Sequence, residues 1–191
     1  MPKEIETKFK IASANVLKRK LKNIGAVFVS KGLERDIYYN SPCGYFSPSG
    51  GVIRLRSCGN KCVFTVKKPV GGRRPRIYKI CDELEVGIDD ADTFNDILIK
   101  LGFVPCFRKE KIRETYRWKE AKILVDRLPY LGYYAEIEAP RKRIKELAYL
   151  LGFNMDNGIS GTYLELFNSY KEFYGKRKVE LRFARKRRGG R

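Results

Sequence analysis

The chain has 191 residues, 43% of them hydrophobic, so it can bury a core and is not a disordered polymer. Forty-one basic against 22 acidic residues give a formal charge of +19. Ten basic and two acidic residues from 171 to 191 supply +8, which leaves +11 on the first 170 and points to an anionic partner. No apolar run is long enough to span a bilayer and the chain opens on charges, so a soluble, cytoplasmic protein without secretory signal or membrane partner is expected. Histidine is absent, which excludes Ser-His and Cys-His nucleophiles. Five cysteines without a Cys-x-x-Cys pair argue against a zinc site and for free thiols, Cys58 and Cys62 being the one pair close enough to consider.

In chain order, EIETKFK (4–10) reads as a strand. ASANVLKRKLKNIG (12–25) reads as an amphipathic helix with Val16, Leu17, Leu21 and Ile24 on one side and Gly25 as its stop. AVFVSKGLERDIYYN (26–40) is a long strand ending in a Pro/Gly/Ser loop. VIRLRS and KCVFTVKKP form a hairpin around Gly59-Asn60. After a basic loop, GGRRPR, the segment RIYKICDELEVG is another strand. DDADTFNDILIKLG (89–102) is a helix with acid at its start and Gly at its end. FVPCFRKEKIRETYRW, AKILVDRL and YYAEIEA are strands. PRKRIKELAYLLG (140–152) is a helix with proline in its first turn, and GTYLELFNSYKEFYG a last one. About eight strands in neighbouring pairs with four helices predict an antiparallel sheet rather than βαβ units.

The strands share a habit. Side chains two apart lie on one face of a strand. Glu4, Glu6 and Lys8 share a parity, as do Arg54 and Arg56, Thr65 and Lys67, Glu83 and Glu85, Lys109, Lys111 and Arg113, and Glu136 and Glu138, with Asp126 on the strand between. The intervening residues are apolar and call for cover by the helices. Two architectures fit: a sheet with one charged, wet face, or an eight-stranded closed barrel with charge inside. In a barrel those groups must be paired, solvated or bound to a ligand. Carboxylates then suit a divalent metal and the bases a phosphate chain.

The ordered series EIETKFK, RLR, TVKKP, ELEV, KIRETY, LVD and LGYYAEIE resembles the CYTH superfamily, the triphosphate tunnel metalloenzymes that include class IV adenylyl cyclases and thiamine triphosphatases. It spans residues 1–170, nearest the class IV cyclase branch. The resemblance implies an α+β fold: an eight-stranded antiparallel closed β-barrel with helices packed outside. The run of like charge at 171–191 reads as a partly disordered basic tail. It implies Mg²⁺ or Mn²⁺ held by Glu4, Glu6, Asp126, Glu136 and Glu138. Lys8, Arg54, Arg56, Lys67, Lys109, Lys111 and Arg113 would grip a triphosphate, with Lys8, Arg113, Glu83 and Glu85 in catalytic roles. Asp36 reads as structural. The implied reaction is conversion of ATP to cyclic AMP and pyrophosphate. The alternatives are hydrolysis of a nucleotide, thiamine triphosphate or polyphosphate, and RNA binding or RNA 5′-triphosphate processing through the tail. A homodimer and a weak nucleic-acid contact through the tail are further expectations.

Overall fold

The computed structural model describes residues 3–42, 44, 51–70, 77–174 and 180–184. The expected GGRRPR loop, most of the Pro/Gly/Ser loop and the tail positions 175–179 and 185–191 lie outside them. Eight strands form the barrel: β1 (Lys3–Ile11), β2 (Val27–Asn40), β3 (Val52–Cys58), β4 (Lys61–Pro69), β5 (Lys79–Ile88), β6 (Val104–Trp118), β7 (Ala121–Leu128) and β8 (Gly132–Glu138). The helices are α1 (Ala14–Asn23), α2 (Ala91–Lys100), α3 (Arg141–Leu151) and α4 (Tyr163–Tyr174), with one 3₁₀ turn at Met155–Asn157. All eight strand pairings are antiparallel, and the sheet closes on itself in the order β1-β5-β4-β3-β2-β6-β7-β8.

Alternation decides what faces in. On β1 the odd positions pack outward: Phe9 joins Leu17 and Leu21 of α1, Ile123, Val125 and Ile137 of the wall, and Ile144, Leu147 and Leu151 of α3 in one core. Each helix buries only its apolar stripe, so most of its cohesion with the barrel is hydrophobic. A second core sets Leu98 of α2 against Ile53, Leu55 and Cys62. Helix cover is incomplete, contrary to the pattern expected from the sequence. Leu84 and Val86, on the outer face of β5, remain 54% and 55% exposed, because α2 has ten residues and packs over β3, β4 and β6.

The β3–β4 turn is tight. Gly59 adopts φ +58°, where a side chain would be strained. Cys58 and Cys62, on either side of the turn, are free thiols.

The third core closes one end of the barrel. Ile159 pairs with Lys8 through two backbone hydrogen bonds of 3.1 and 2.9 Å, which carries the chain across the opening. Tyr163 and Phe167 of α4 then pack with Phe107, Leu128, Leu131 and Tyr134. Leu181 completes this cluster, fully buried. The Leu181 N–H donates to the carbonyl of Arg108 (3.0 Å), and its carbonyl accepts from Glu110 (2.7 Å). That stretch of β6 lies beyond the last β7 pairing at Ile112, so the late segment fills a gap in the wall.

Candidate active site

The inward parity of all eight strands lines a cavity of about 580 Å³. Glu4, Glu6 and Lys8 enter from β1, Arg54 and Arg56 from β3, Lys67 from β4, and Glu83 and Glu85 from β5. Lys109, Lys111 and Arg113 enter from β6, Glu136 and Glu138 from β8. The closed barrel therefore gathers these sequence-predicted residues into one space. A wet outer face for them is ruled out by the burial of Glu6, Lys8, Arg54, Lys67, Lys109, Lys111, Arg113 and Glu136.

Carboxylates concentrate at one place. One oxygen each of Glu4, Glu6 and Glu138 lie within 4.8 Å of one another. Glu6 and Glu138 are direct cross-strand partners, a like-charge pairing that is unfavourable unless a cation stands between them. Lysines serve that role here. Lys67 reaches Glu4 (2.6 Å), Lys8 and Lys79 reach Glu6 (2.6 and 3.0 Å), and Lys122 reaches Glu138 (2.8 Å). Burial opposes ionisation of Glu6, but Lys8 and Lys79 outweigh it and hold the carboxyl well below its usual range. Glu138 goes the other way: burial raises it more than Lys122 lowers it. Three hard oxygen donors at this spacing fit Mg²⁺ or Mn²⁺.

Glu136 and Asp126 are engaged differently. Glu136 accepts from Arg113 and lies 3.5 Å from Lys8. Asp126 is wholly buried, bound by both arms of Arg113 (2.7 and 2.6 Å), by Lys111 (3.1 Å) and by the Tyr163 hydroxyl (2.9 Å). Its place is behind the cations rather than in the carboxylate triplet, so it holds Arg113 and Lys111 in position.

The opposite wall repeats the arrangement. Arg56 donates to both oxygens of Asp36 (2.7 and 2.9 Å) and reaches Glu34 at 3.0 Å. Lys109 lies 3.0 Å from Asp36 and donates to the Tyr38 hydroxyl at 2.8 Å. Burial brings Lys109 down to about 8 against the pull of Asp36. It also lowers Lys111, with the neighbouring Arg113 adding to the effect. Arg54 donates to Thr65 (2.9 Å) and lies 3.3 Å from Glu85, while its buried Nε has no hydrogen-bond partner among the described residues. Glu83 sits 2.9 Å from Lys67, and burial raises its carboxyl to about 7.

Six residues of the wall were not singled out from the sequence as site residues. Glu34, Asp36 and Tyr38 share one parity on β2, opposite Lys111, Lys109 and Phe107. The parity was there to read, but only the closed barrel gives that face an inside. Lys79 has the parity of Glu83 and Glu85, and Lys122 that of Asp126. Tyr163 had no strand signal at all. It comes from α4, and its ring lies 5.7, 5.2 and 5.5 Å from the ammonium groups of Lys8, Lys109 and Lys111.

Comparison with known proteins agrees with this geometry. Residues 2–151 match the model of the CYTH domain. A Methanocaldococcus jannaschii protein, provisionally named an adenylate cyclase, is 32% identical over 175 residues, 85% of this chain and 97% of its own. A solved Pyrococcus horikoshii structure superposes with a TM-score of 0.73 at 26% identity, over 87% of this chain and 99% of the other. A Hippeastrum protein, described as a provisional adenylyl cyclase with a dominant triphosphatase activity, shares the fold at TM-score 0.62 and 17% identity, over 87% of this chain and 96% of its own.

Proposed function

The chain belongs to the CYTH domain family, and on that premise we propose that it is a divalent-metal-dependent enzyme that converts ATP to cyclic AMP and pyrophosphate inside its barrel. The observation that carries this reading is the enclosure of a carboxylate triplet and a cationic wall in one cavity. A triphosphate carries about four negative charges, and arginine binds its oxygens in bidentate fashion.

Lys8, Arg54, Arg56, Lys67, Lys109, Lys111 and Arg113 are the cations we assign to the triphosphate. The Nε of Arg54 has no hydrogen-bond partner among the described residues, so a turn of this buried guanidinium would bring an unused donor to a phosphate oxygen. Glu4, Glu6 and Glu138 would hold Mg²⁺ or Mn²⁺, with Glu136 beside them. When bound, that ion would neutralise phosphate charge and favour departure of the leaving group. Lys67, Lys79 and Lys122 now hold those same carboxylates, and each ammonium can pass to a phosphate oxygen. Asp126 and Asp36 keep Arg113, Lys111, Arg56 and Lys109 extended into the cavity, so little reorganisation is left for the moment of reaction.

The ribose 3′ oxygen attacks the α-phosphorus. The bond to the β-phosphate oxygen breaks, and pyrophosphate leaves with the electron pair. Glu83 and Glu85, beside Lys67 and Arg54, are the carboxylates we assign to accept the hydroxyl proton. Tyr38, Asn40, Val52 and Leu164 line uncharged parts of the cavity and give room for a nucleoside.

Hydrolysis of the terminal phosphate by water is the second reading. It is favoured by the fact that the cations assigned above would engage a triphosphate and none requires a nucleoside. Phosphorus NMR of ATP with the protein and Mg²⁺ or Mn²⁺ separates the two. Pyrophosphate together with a cyclic phosphodiester signal is expected. Orthophosphate with ADP would establish hydrolysis, and no conversion of ATP or tripolyphosphate would overturn both.

A further inference from the structure

The outward parity of β2, β6 and β7 carries a second charged surface, on the far side of the wall from the cavity. Arg35 of β2 stands opposite Glu110 of β6, and Arg108 is two residues along from that pair. Arg127 of β7 stands opposite Ile112 of β6 and opposite Tyr133 of β8. Arg35 and Arg108 are diagonal neighbours, roughly 7–8 Å apart, close to the spacing of successive phosphates along an extended strand. Arg35 and Arg108 keep about half of their side-chain surface in solvent, 58% and 48%.

The late segment adds to this surface. Held to β6 by the two hydrogen bonds of Leu181, it places Arg182 3.6 Å from Glu110 and sets the Phe183 ring 5.6 Å from the Arg127 guanidinium. Next to Arg127 is a groove of about 150 Å³ whose lining includes Lys18, Lys31 and Tyr133. Lys18 and Lys31 converge on the single carboxylate of Glu114, at 2.6 and 3.0 Å. Five of these six cations meet Glu110, Glu114 or Glu180, and two half-buried aromatic rings flank the sixth, Arg127.

We propose that this outer face binds single-stranded nucleic acid, independently of the cavity. Arginines spaced for phosphates supply affinity without regard to sequence, and Tyr133 and Phe183 supply faces on which unpaired bases stack. A duplex would satisfy the cations but leave the rings unused.

Fluorescence anisotropy of the full chain with a labelled single-stranded RNA bearing a 5′-hydroxyl tests this, with saturating tripolyphosphate present to occupy the cavity. Binding that survives tripolyphosphate is expected. For three or four phosphate contacts it should weaken roughly 20- to 50-fold between about 50 and 200 mM salt. R35E/R127E should bind at least tenfold more weakly, and Phe183→Ala should lose part of the affinity, with melting temperature and ATP conversion unchanged. If R35E/R127E melts early, R35Q/R127Q takes its place. The proposal is overturned by no binding at low salt, by release with tripolyphosphate, or by full binding in the charge variants. Tight binding to phosphatidylserine vesicles with none to RNA would make the face a membrane contact and overturn it equally.

Discussion

Among the cations assigned to the triphosphate, Lys109 has a charge that working pH can remove. Buried beside Asp36 and Tyr38, it titrates near 8, so it is cationic at neutral pH and loses its proton as pH rises through about 8. An ammonium that binds phosphate contributes only while charged. We therefore expect kcat/KM for ATP to fall above about pH 8, since that parameter reports the free enzyme. Lys109→Arg keeps its charge at any working pH and should move this limb upward. Lys109→Met should lower the plateau and erase the limb, and a pH profile that is the same in all three would remove Lys109 from the site. Glu6 tests the carboxylate triplet. Glu6→Gln is nearly isosteric, and ATP conversion should fall at least about 100-fold, the scale of losing a group that acts in the transition state. Circular dichroism should show the fold retained. Arg56→Ala is a less clean probe, because Asp36 and Glu34 would lose a buried partner and the protein would be destabilised as well as inactivated.

At the scale of the element, β1 shows what the sequence makes legible. Two-residue alternation is a local property, so its charged and apolar sets could be read without a structure, and the same holds for β3, β6 and β8. The four helices were legible for the same reason, each carrying an apolar stripe with recognisable ends. What periodicity cannot show is which face becomes an inside, since that depends on β1 meeting both β5 and β8. Glu34 was missed on that account, and Asp36, read as structural, could not be given its partners. Tyr163 was missed because a helix end supplies it, and Leu181 because a lone apolar residue in a basic tail has no period. Leu181 nonetheless has an element's importance: fully buried among Phe107, Tyr163 and Phe167, it anchors the segment that fills the β6 gap. Leu181→Ala should cost about 2–5 kcal/mol, the range for deleting a buried leucine side chain. Urea unfolding would show this as a lower midpoint, and an unchanged midpoint would mean the segment detaches at no cost.

The whole molecule encloses many charges that need one another, and its stability should follow pH accordingly. Glu34 is representative. Burial would raise its pKa, but Lys111, Arg113 and Arg56 outweigh it and hold it at about 2 instead of 4.5. A carboxyl lowered on folding contributes stability that is fully present above 4.5 and is lost as pH falls toward 2, here on the order of 3 kcal/mol. Urea melts should show Glu34→Gln less stable than the parent at pH 7, with the difference shrinking as pH approaches 2. The cations and carboxylates also couple two ligands. Since Lys67, Lys79 and Lys122 hold the triplet that would take a metal, Mg²⁺ and tripolyphosphate should each tighten the binding of the other, by the same factor. Calorimetric titrations of each with and without the other measure that factor. A value of one would separate the two sites.

The join between β1 and β8 sets the order in which the molecule can be made. Glu6 pairs with Glu138, so the first strand must wait for the last before the wall closes. A ribosome adding about 5–20 residues per second leaves that first strand without its final neighbour for roughly 7–25 seconds. During that interval the ionic interior has no enclosure and each buried carboxylate remains in water. Burial of charge and closure of the sheet are then one late event, dominated by contacts between distant parts of the chain, and refolding should be slow for a chain of this size.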